Sequence, residues 1–259
     1  MRIIHFHPDA RYAKKFVAPL IQAEKNLGHD TKLVVSSASS DVGFAKLCAF
    51  DLSKKNILKL PIVLWQLRSF LKDNKPDVVI CHNSKSALLP LFSAFWVGVP
   101  VRVYFNHGVP FIGYAGIVRW GLKTLEYGNL VLATSVLTVS RDMLNLLRAM
   151  TLNTKLNLIS SGSACGIEFK DYFPAPSDEI DWRKKYGLNA QDLVVLFVGR
   201  PEKRKGFDFS LRLFLDQIPD THIKLVVCGA TQEDVRRVIH EVPQNIIPLG
   251  FIENVAEVM

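Results

Sequence analysis

The sequence lacks the features that mark several common classes of protein. The first predicted strand, Arg2–His7, leads into the turn His7-Pro8-Asp9-Ala10-Arg11. This turn has none of the glycines of the G-x-G-x-x-G loop. That loop lets the backbone approach a dinucleotide pyrophosphate, so its absence argues against a nicotinamide oxidoreductase. The four cysteines are far apart and none forms a C-x-x-C pair. They are therefore predicted to be small buried side chains in a reducing compartment, with neither disulfides nor a zinc motif.

Neither a signal peptide nor a membrane-spanning run is expected from the sequence. Residues 1–16 turn polar at once, which is unlike a signal peptide. The most apolar stretch, Ala87–Phe105, is interrupted by Pro90, Pro100 and Arg102. Such a short, broken run indicates a buried helix and strand rather than a membrane span. We therefore expect a cytoplasmic protein.

The net charge points to an anionic partner. The 259 residues carry a formal charge of +8, and the sequence pI is about 9.3. The basic residues are spread along the chain with no zinc-finger or RNA-binding signature, so nucleic acid is not expected. Two basic patches, Lys14-Lys15-Lys25 and Lys54-Lys55-Lys59, either contact an anionic membrane surface or are solvated faces.

Apolar periodicity predicts an α/β protein in which strands and helices alternate. One helix is expected over Ala13–Leu27 and a polar loop over 36–56. The predicted strands are Arg2–His7, Thr31–Val35, Asp77–Cys81, Val101–Phe105, Val136–Val139, Lys155–Ile159, Leu193–Val198, Ile223–Cys228 and Ile246–Leu249. Ser140 is predicted to cap the helix that follows it.

The turn after Leu193–Val198 carries the strongest signal. Six apolar residues predict a strand buried on both faces, and Gly199 ends it before the helix Phe207–Gln217. Four cations crowd into the intervening turn: Arg200, Lys203, Arg204 and Lys205. Because strand ends and helix N-termini of α/β sheets bind anions, this turn is either a diphosphate site or a solvated basic loop.

The sequence FVGR followed by KG resembles the start of the nucleotide-binding domain in retaining GT-B glycosyltransferases of family 4. The resemblance implies that Arg200 and Lys205 bind the diphosphate of a sugar nucleotide, beside Gly199.

His5 and His7 share a face of the first predicted strand, where they could suggest a metal site. Two ligands without a third nearby are too few, so both histidines are expected to be structural or substrate-lining.

The first half of the chain resembles the same family. DVVICHNSKSALL and NHGVPF are similar to its amino-terminal domain, particularly in enzymes of surface-polysaccharide assembly. The resemblance implies that His107 contacts the donor sugar or its diphosphate and that Gly108 lets the backbone approach closely. His82, Lys85 and Ser140 are further candidates for lining the site. For His107 the alternative is a histidine that only caps a turn.

A third segment, SSGSACGIEFKDYF, is similar to the family's interdomain segment. Gly162, Ser163, Gly166 and Phe173 keep their places, whereas Cys165 and Glu168 replace an asparagine and an aspartate. The implied fold is GT-B-like, with a Rossmann-like domain over 1–165, a linker over 166–190 and the first part of a second Rossmann-like domain over 191–259. The family's E-x7-E motif has no match, so a carboxyl-terminal truncation is expected.

The implied activity is transfer of a hexose or N-acetylhexosamine from UDP-sugar, or another nucleoside-diphosphate sugar, to a glycan or lipid-linked acceptor. Configuration would be retained, with catalytic roles for His107, Arg200 and Lys205. No D-x-D follows a strand, so no metal or other cofactor is expected. The protein would act in the cytoplasm, peripherally at the inner face of the membrane. The alternatives are an inactive GT-B fragment that serves as a binding module and a GT-B nucleotide-sugar epimerase.

Overall fold

The computed structural model describes residues 1–35, 60–151, 155–166, 182–218, 222–253 and 255–259. The chain divides into two compact units, Met1–Gly166 and Ile167–Met259. The predicted loop over 36–56, Cys48, Lys54-Lys55-Lys59 and Phe173 of the linker lie outside the described residues. Each unit is a parallel α/β structure with its own core, as the alternating pattern predicts.

The first unit contains a six-stranded parallel sheet in the order β2-β1-β3-β4-β5-β6. Its strands are β1 Arg2–His7, β2 Asp30–Val35, β3 Val78–His82, β4 Val101–Asn106, β5 Ser135–Thr138 and β6 Leu156–Leu158. All five neighbouring pairs are parallel, so the carboxyl ends of the strands meet at one edge. The strand order reverses between β1 and β3, and ligands of open α/β sheets bind at such a reversal.

Helices cover the sheet of the first unit. They are α1 Ala10–Phe16, α2 Ala18–Asn26, α3 Leu60–Asn74, α4 Ser84–Trp96, α5 Gly116–Leu132 and α6 Arg141–Arg148. The main core packs α3, α4 and α5 against β1, β3 and β4, with fully buried Val79, Leu91 and Tyr104. A smaller cluster of Ala13, Val17, Ile21 and Leu33 lies under α1 and α2.

The prediction of one helix over Ala13–Leu27 is wrong, because the chain forms two helices that meet at Val17. Pro19 lies in the first turn of α2. Proline has no N–H to donate and its ring crowds the carbonyl four residues earlier, so it starts a helix well and continues one poorly. The carbonyl of Lys15, which Pro19 cannot bond, lies 3.7 Å from the Cys165 sulfur.

The second unit contains a three-stranded parallel sheet in the order β7-β8-β9. Its strands are β7 Leu193–Val198, β8 Ile223–Cys228 and β9 Ile246–Gly250, and its helices are α7 Trp182–Lys185, α8 Phe207–Gln217 and α9 Gln232–Ile239. The central strand β8 carries buried Leu225, Val226 and Val227. One core cluster packs α8 and α9 against the sheet, and a second lies on its other face.

The prediction that β7 is buried on both faces is wrong. It is an edge strand of the described sheet, with Leu193, Val195 and Val198 exposed by 62%, 40% and 47%. The apolar run had indicated a central strand because interior parallel strands read that way. None of the described helices is long and apolar enough to cross a membrane.

Candidate functional site

Four ionisable side chains form a hydrogen-bonded chain near the carboxyl edge of the first sheet. The Nε2 atom of His5 lies 3.0 Å and 3.2 Å from the two carboxylate oxygens of Glu24. The other ring nitrogen of His5, Nδ1, lies 3.0 Å from Nε2 of His82, and Nδ1 of His82 lies 2.9 Å from Nε2 of His107. Parallel register explains this contact, since His5 pairs with Ile80 and His82 with Phe105 on adjacent strands.

Burial increases along this chain and then decreases. His5 and His82 have no solvent exposure, whereas Glu24 and His107 are only partly buried. Burial lowers the pKa of His82 well below its usual value, with further lowering by His5, His107 and His7. Burial, with a smaller contribution from His7, lowers the pKa of His107 to about 4. His107 is therefore a neutral ring near pH 7.

Glu24 is the anionic end of the chain. Burial alone would raise its pKa, but the hydrogen bond and charge of His5, the hydroxyl of Thr31 and the charge of His29 lower the pKa overall. The Thr31 hydroxyl donates to Oε2 at 3.1 Å. Glu24 therefore stays ionised near pH 7, and its carboxylate accepts hydrogen bonds only.

A fourth histidine lies beside the chain. The Nδ1 atom of His7 lies 2.8 Å from the backbone carbonyl oxygen of Asp9. Its Nε2 atom lies 3.1 Å from Nδ2 of the Asn83 side chain. Burial lowers the pKa of His7, although the contacts with Asp9 oppose the shift. Asn83 has a positive φ of 66° and stands immediately before α4.

The turn after β4 is held by a buried polar network. The Tyr104 hydroxyl lies 2.8 Å from Oε1 of Glu126 and 2.9 Å from the Ser84 hydroxyl. The Asn106 amide donates to the same Glu126 oxygen at 2.7 Å, and its own oxygen accepts the Gly108 N–H at 3.0 Å. Ser84 donates to the Gly108 carbonyl at 3.2 Å. Both backbone groups of Gly108 are thus occupied.

This network determines how Gly108 can take part in binding. Its φ is not in the left-handed region, and a Cβ placed on it would meet no atom within 4 Å. Open space at Gly108 suits the predicted close approach of a ligand. Its N–H already has a partner, so contact with a ligand through that group would cost the bond to Asn106.

The remaining predicted residues of the first unit are placed differently. His82 lies behind His107, fully buried, so it meets a ligand only through that ring. Lys85 is exposed, with Nζ 6.0 Å from the centre of the Tyr114 ring. Ser140 is confirmed as a helix cap, since its hydroxyl accepts the Met143 N–H at 3.2 Å.

The second unit brings the predicted cations together at the carboxyl end of β7. A Cβ built on Gly199 would lie 3.7 Å from Cβ of Lys205. The Arg200 guanidinium lies 3.0 Å from a Glu202 oxygen, and this pair is largely exposed. Gly206 adopts the left-handed conformation at φ 72° and leads into α8 without a side-chain cap, which leaves the first N–H groups of the helix to a ligand or solvent.

Gly229, after β8, belongs to the same edge. It has a φ of 101°, and a Cβ there would collide with the carbonyl oxygen of Gly199. Its N–H donates to the Gly250 carbonyl at 2.7 Å, and the Gly199 N–H donates to the Cys228 carbonyl at 2.9 Å. These contacts fix the backbone that positions Arg200.

Sequence reasoning identified the three histidines of this chain, but neither Glu24 nor the contacts that join the four side chains. His107 came from a resemblance, and His5 and His7 were left as structural or substrate-lining residues. Glu24 carried no signal, because its position depends on the packing of α2. The signal that was available is a histidine at or near the end of each of three strands, in β1, in β3 and after β4. Among the described residues, no group of three or more His, Cys, Asp or Glu side chains is arranged to hold a metal ion.

Comparison with known proteins gives one family match. A family model described as "Glycosyl transferase 4-like domain" matches residues 13–162. This region includes Glu24, His82 and His107 but not β1 or the second unit. No curated protein sequence matches the chain significantly.

Solved structures extend the likeness to both units. Sucrose-phosphate synthase from Thermosynechococcus elongatus has a TM-score of 0.73 at 15% identity, covering 100% of this chain and 73% of that one. Anabaena HepE in complex with UDP and glucose has a TM-score of 0.70 at 14% identity, covering 100% and 71%. UDP-GlcNAc 2-epimerase from Neisseria meningitidis, bound to UDP-GlcNAc, has a TM-score of 0.68 at 13% identity, covering 100% and 74%. These identities show the fold alone, and the predicted GT-B-like fold is confirmed.

Proposed function

Because the chain belongs to the glycosyl transferase 4-like family, we propose that it transfers a sugar from a nucleoside-diphosphate donor to a glycan or lipid-linked acceptor in surface-polysaccharide synthesis. The transferred sugar is a hexose or an N-acetylhexosamine, and its anomeric configuration is retained. The observation that carries the proposal is the family match over 13–162, which covers the turn holding His107. The cation-rich turn at Gly199–Lys205 supports it from the second unit.

Arg200 and Lys205 are the proposed diphosphate ligands. The guanidinium of Arg200 can form paired hydrogen bonds to phosphate oxygens, and Lys205 adds a point charge. The exposed ion pair of Arg200 with Glu202 contributes at most about 1 kcal/mol, so a diphosphate can replace Glu202 at small cost. As the sugar leaves, negative charge grows on the diphosphate, and fixed cations stabilise that transition state.

His107 is the proposed contact to the donor sugar. Its pKa of about 4 leaves it uncharged near pH 7, which suits a hydrogen bond to a sugar hydroxyl better than a charge contact with phosphate. No step of this proposal requires a metal ion or another cofactor.

The test is calorimetric binding of UDP and UDP-N-acetylglucosamine to the 259-residue chain. We expect Arg200→Ala and Lys205→Ala each to weaken the binding of both ligands by about tenfold to a hundredfold, as for loss of a charge-assisted hydrogen bond. Arg204→Ala and Lys203→Ala are matched controls, since they remove one positive charge from the same turn. Equal losses of affinity in the controls would show that the turn attracts these ligands only through its total positive charge.

Product analysis separates the proposal from its alternatives. A glycosyltransferase releases UDP and extends an acceptor, whereas an epimerase yields an isomeric UDP-sugar without an acceptor. The epimerase alternative has a specific observation in its favour, the structural likeness to the Neisseria meningitidis enzyme. Tight UDP-sugar binding with neither product would identify a binding module.

The proposal includes peripheral contact with an anionic membrane through α5 and the turn before it. Five exposed apolar side chains cluster there: Ile112, Tyr114, Ile117, Val118 and Trp120. Arg119 and Lys123 stand among them and are exposed. Aromatic and aliphatic side chains flanked by cations suit the headgroup region of anionic lipids, where a lipid-linked acceptor would lie.

A further inference from the structure

The chain Glu24–His5–His82–His107 is unbranched, and each of its contacts lies within hydrogen-bonding distance. The two nitrogen–nitrogen distances are 3.0 Å and 2.9 Å, and the shortest contact with the carboxylate is 3.0 Å. Within such a chain every neutral ring must use one nitrogen as donor and the other as acceptor. The direction of hydrogen-bond donation at one end therefore determines the direction of donation at every other contact.

With all three rings neutral, the carboxylate fixes that direction. Because ionised Glu24 can only accept, His5 donates to it from Nε2, and Nδ1 of a neutral His5 accepts. His82 then donates from Nε2 to His5 and accepts at Nδ1. The last ring, His107, donates from Nε2 and keeps the lone pair of Nδ1 free.

The Nδ1 atom of His107 is available to a ligand. This atom has no hydrogen-bond partner among the described residues. It is also not one of the polar atoms in the described residues that are both buried and without a partner. It is therefore reached by solvent. Burial of His82 and His107 lowers the pKa of both, which agrees with neutral rings that each carry one proton.

We infer that Glu24, His5 and His82 are positioning residues, which hold His107 in the Nε2-protonated tautomer so that its Nδ1 accepts a hydrogen bond from a ligand hydroxyl. The identity of the ligand rests on the proposed function, in which the hydroxyl belongs to the donor sugar. A neutral acceptor gives no attraction to phosphate oxygens, so this ring selects the sugar and leaves the diphosphate to other residues. Because the tautomer is already fixed, ligand binding need not supply free energy to move the proton of His107 from one ring nitrogen to the other.

The tautomers can be measured directly by long-range proton–nitrogen correlation NMR of the whole chain with ¹⁵N-histidine at pH 7. We expect His5, His82 and His107 all to carry their proton on Nε2. In Glu24→Gln the terminal amide can also donate, so a measurable fraction of His107 should carry its proton on Nδ1. Thr31→Val is the control, because it removes the other donor to Glu24 but keeps the carboxylate, and it should match the wild type.

Two results would overturn the inference. One is a wild-type His107 protonated on Nδ1, including the arrangement in which His5 is an imidazolium and the chain runs the other way. The other is a Glu24→Gln spectrum identical to that of the wild type. Both are read without a ligand, so they are independent of whether the chain transfers a sugar. Circular dichroism checks that the variants remain folded.

Ligand binding then tests the role of the free lone pair. We expect Glu24→Gln to weaken UDP-N-acetylglucosamine binding by about threefold to tenfold, the range of one neutral hydrogen bond, and to leave UDP binding unchanged. Equal weakening of both ligands would contradict a sugar-specific role. Binding of neither ligand by the wild type would overturn the proposed function, whereas the tautomer result would still stand.

Discussion

His107 combines a half-buried position with a ring that stays uncharged. A charged His107 would place its cation beside His82 and His7, whose rings are buried. Keeping this hydrogen-bonding ring neutral therefore lowers the free energy of unfolding at acidic pH.

We predict that the folded chain loses stability as the pH falls below about 6.5, the pKa of an unfolded histidine. The folded pKa of His107 is lowered to about 4, so the unfolded chain binds protons first as the pH falls. The contribution is fully present above pH 6.5 and disappears as the pH approaches 4. For His107 alone, the free energy of unfolding should drop by about 2 kcal/mol between pH 7 and pH 5.

Urea denaturation at the two pH values measures this drop, and His107→Gln should make it smaller. The exposed His240→Asn is the control and should keep the wild-type drop. A His107→Gln chain with the full wild-type drop would show that the loss of stability in acid arises elsewhere, for example at His82 or His7, whose pKa values are also lowered by burial.

At the residue scale, sequence reasoning predicted individual groups better than their connections. Arg200 and Lys205 lie in one turn, and their proximity follows from sequence alone. Glu24, His5 and His82 come from α2, β1 and β3, so their contact depends on strand order and register. A single sequence contains no direct information on either quantity.

Strand positions were the best-predicted elements. The bounds of β1, β7 and β8 match the prediction, because apolar runs between polar turns mark strands clearly, whether they are buried or, like β7, at an edge. The helix over Ala13–Leu27 was predicted as one because its apolar face continues through the break. Pro19 was the local signal against it, and the structure shows that backbone chemistry prevails over periodicity there.

The helix α5 has two different faces. Glu126, Asn129 and Leu130 face the core, whereas Ile117 and Trp120 are exposed by 87% and 73%. Exposed side chains of this size lose apolar contact with water if they enter a lipid interface. Helix propensity does not explain them, since tryptophan and isoleucine are only moderate helix formers.

We predict that Ile117→Ser combined with Trp120→Ser lowers the affinity for phosphatidylglycerol-containing vesicles by about tenfold or more, since two large apolar side chains no longer enter the interface. Vesicle sedimentation at low and moderate salt measures the effect. Phe251→Ser removes an apolar side chain that is 76% exposed in the second unit and serves as the control. A similar loss for Phe251→Ser would contradict contact through α5, and equal binding to uncharged phosphatidylcholine vesicles would contradict the preference for an anionic membrane.

The two units differ in how completely they bury their apolar residues. Among the described residues of the first unit, 19 buried residues form the main core at a six-stranded sheet, and four more form the smaller cluster under α1 and α2. The described part of the second unit has three strands, and its core clusters contain eight and four buried residues. Because the fraction of surface buried rises with domain size, the first unit should be the more stable one.

We predict that residues 1–166 form an independently folded protein with a cooperative urea transition. The midpoint should equal that of the first unit within the whole chain, measured in a Trp182→Phe chain so that the fluorescence comes only from Trp65, Trp96 and Trp120 of the first unit. Residues 167–259 expressed alone should unfold at lower urea, because the exposed apolar side chains of the edge strand β7 add little burial. A midpoint for 1–166 well below that of the whole chain would mean that its core depends on the second unit.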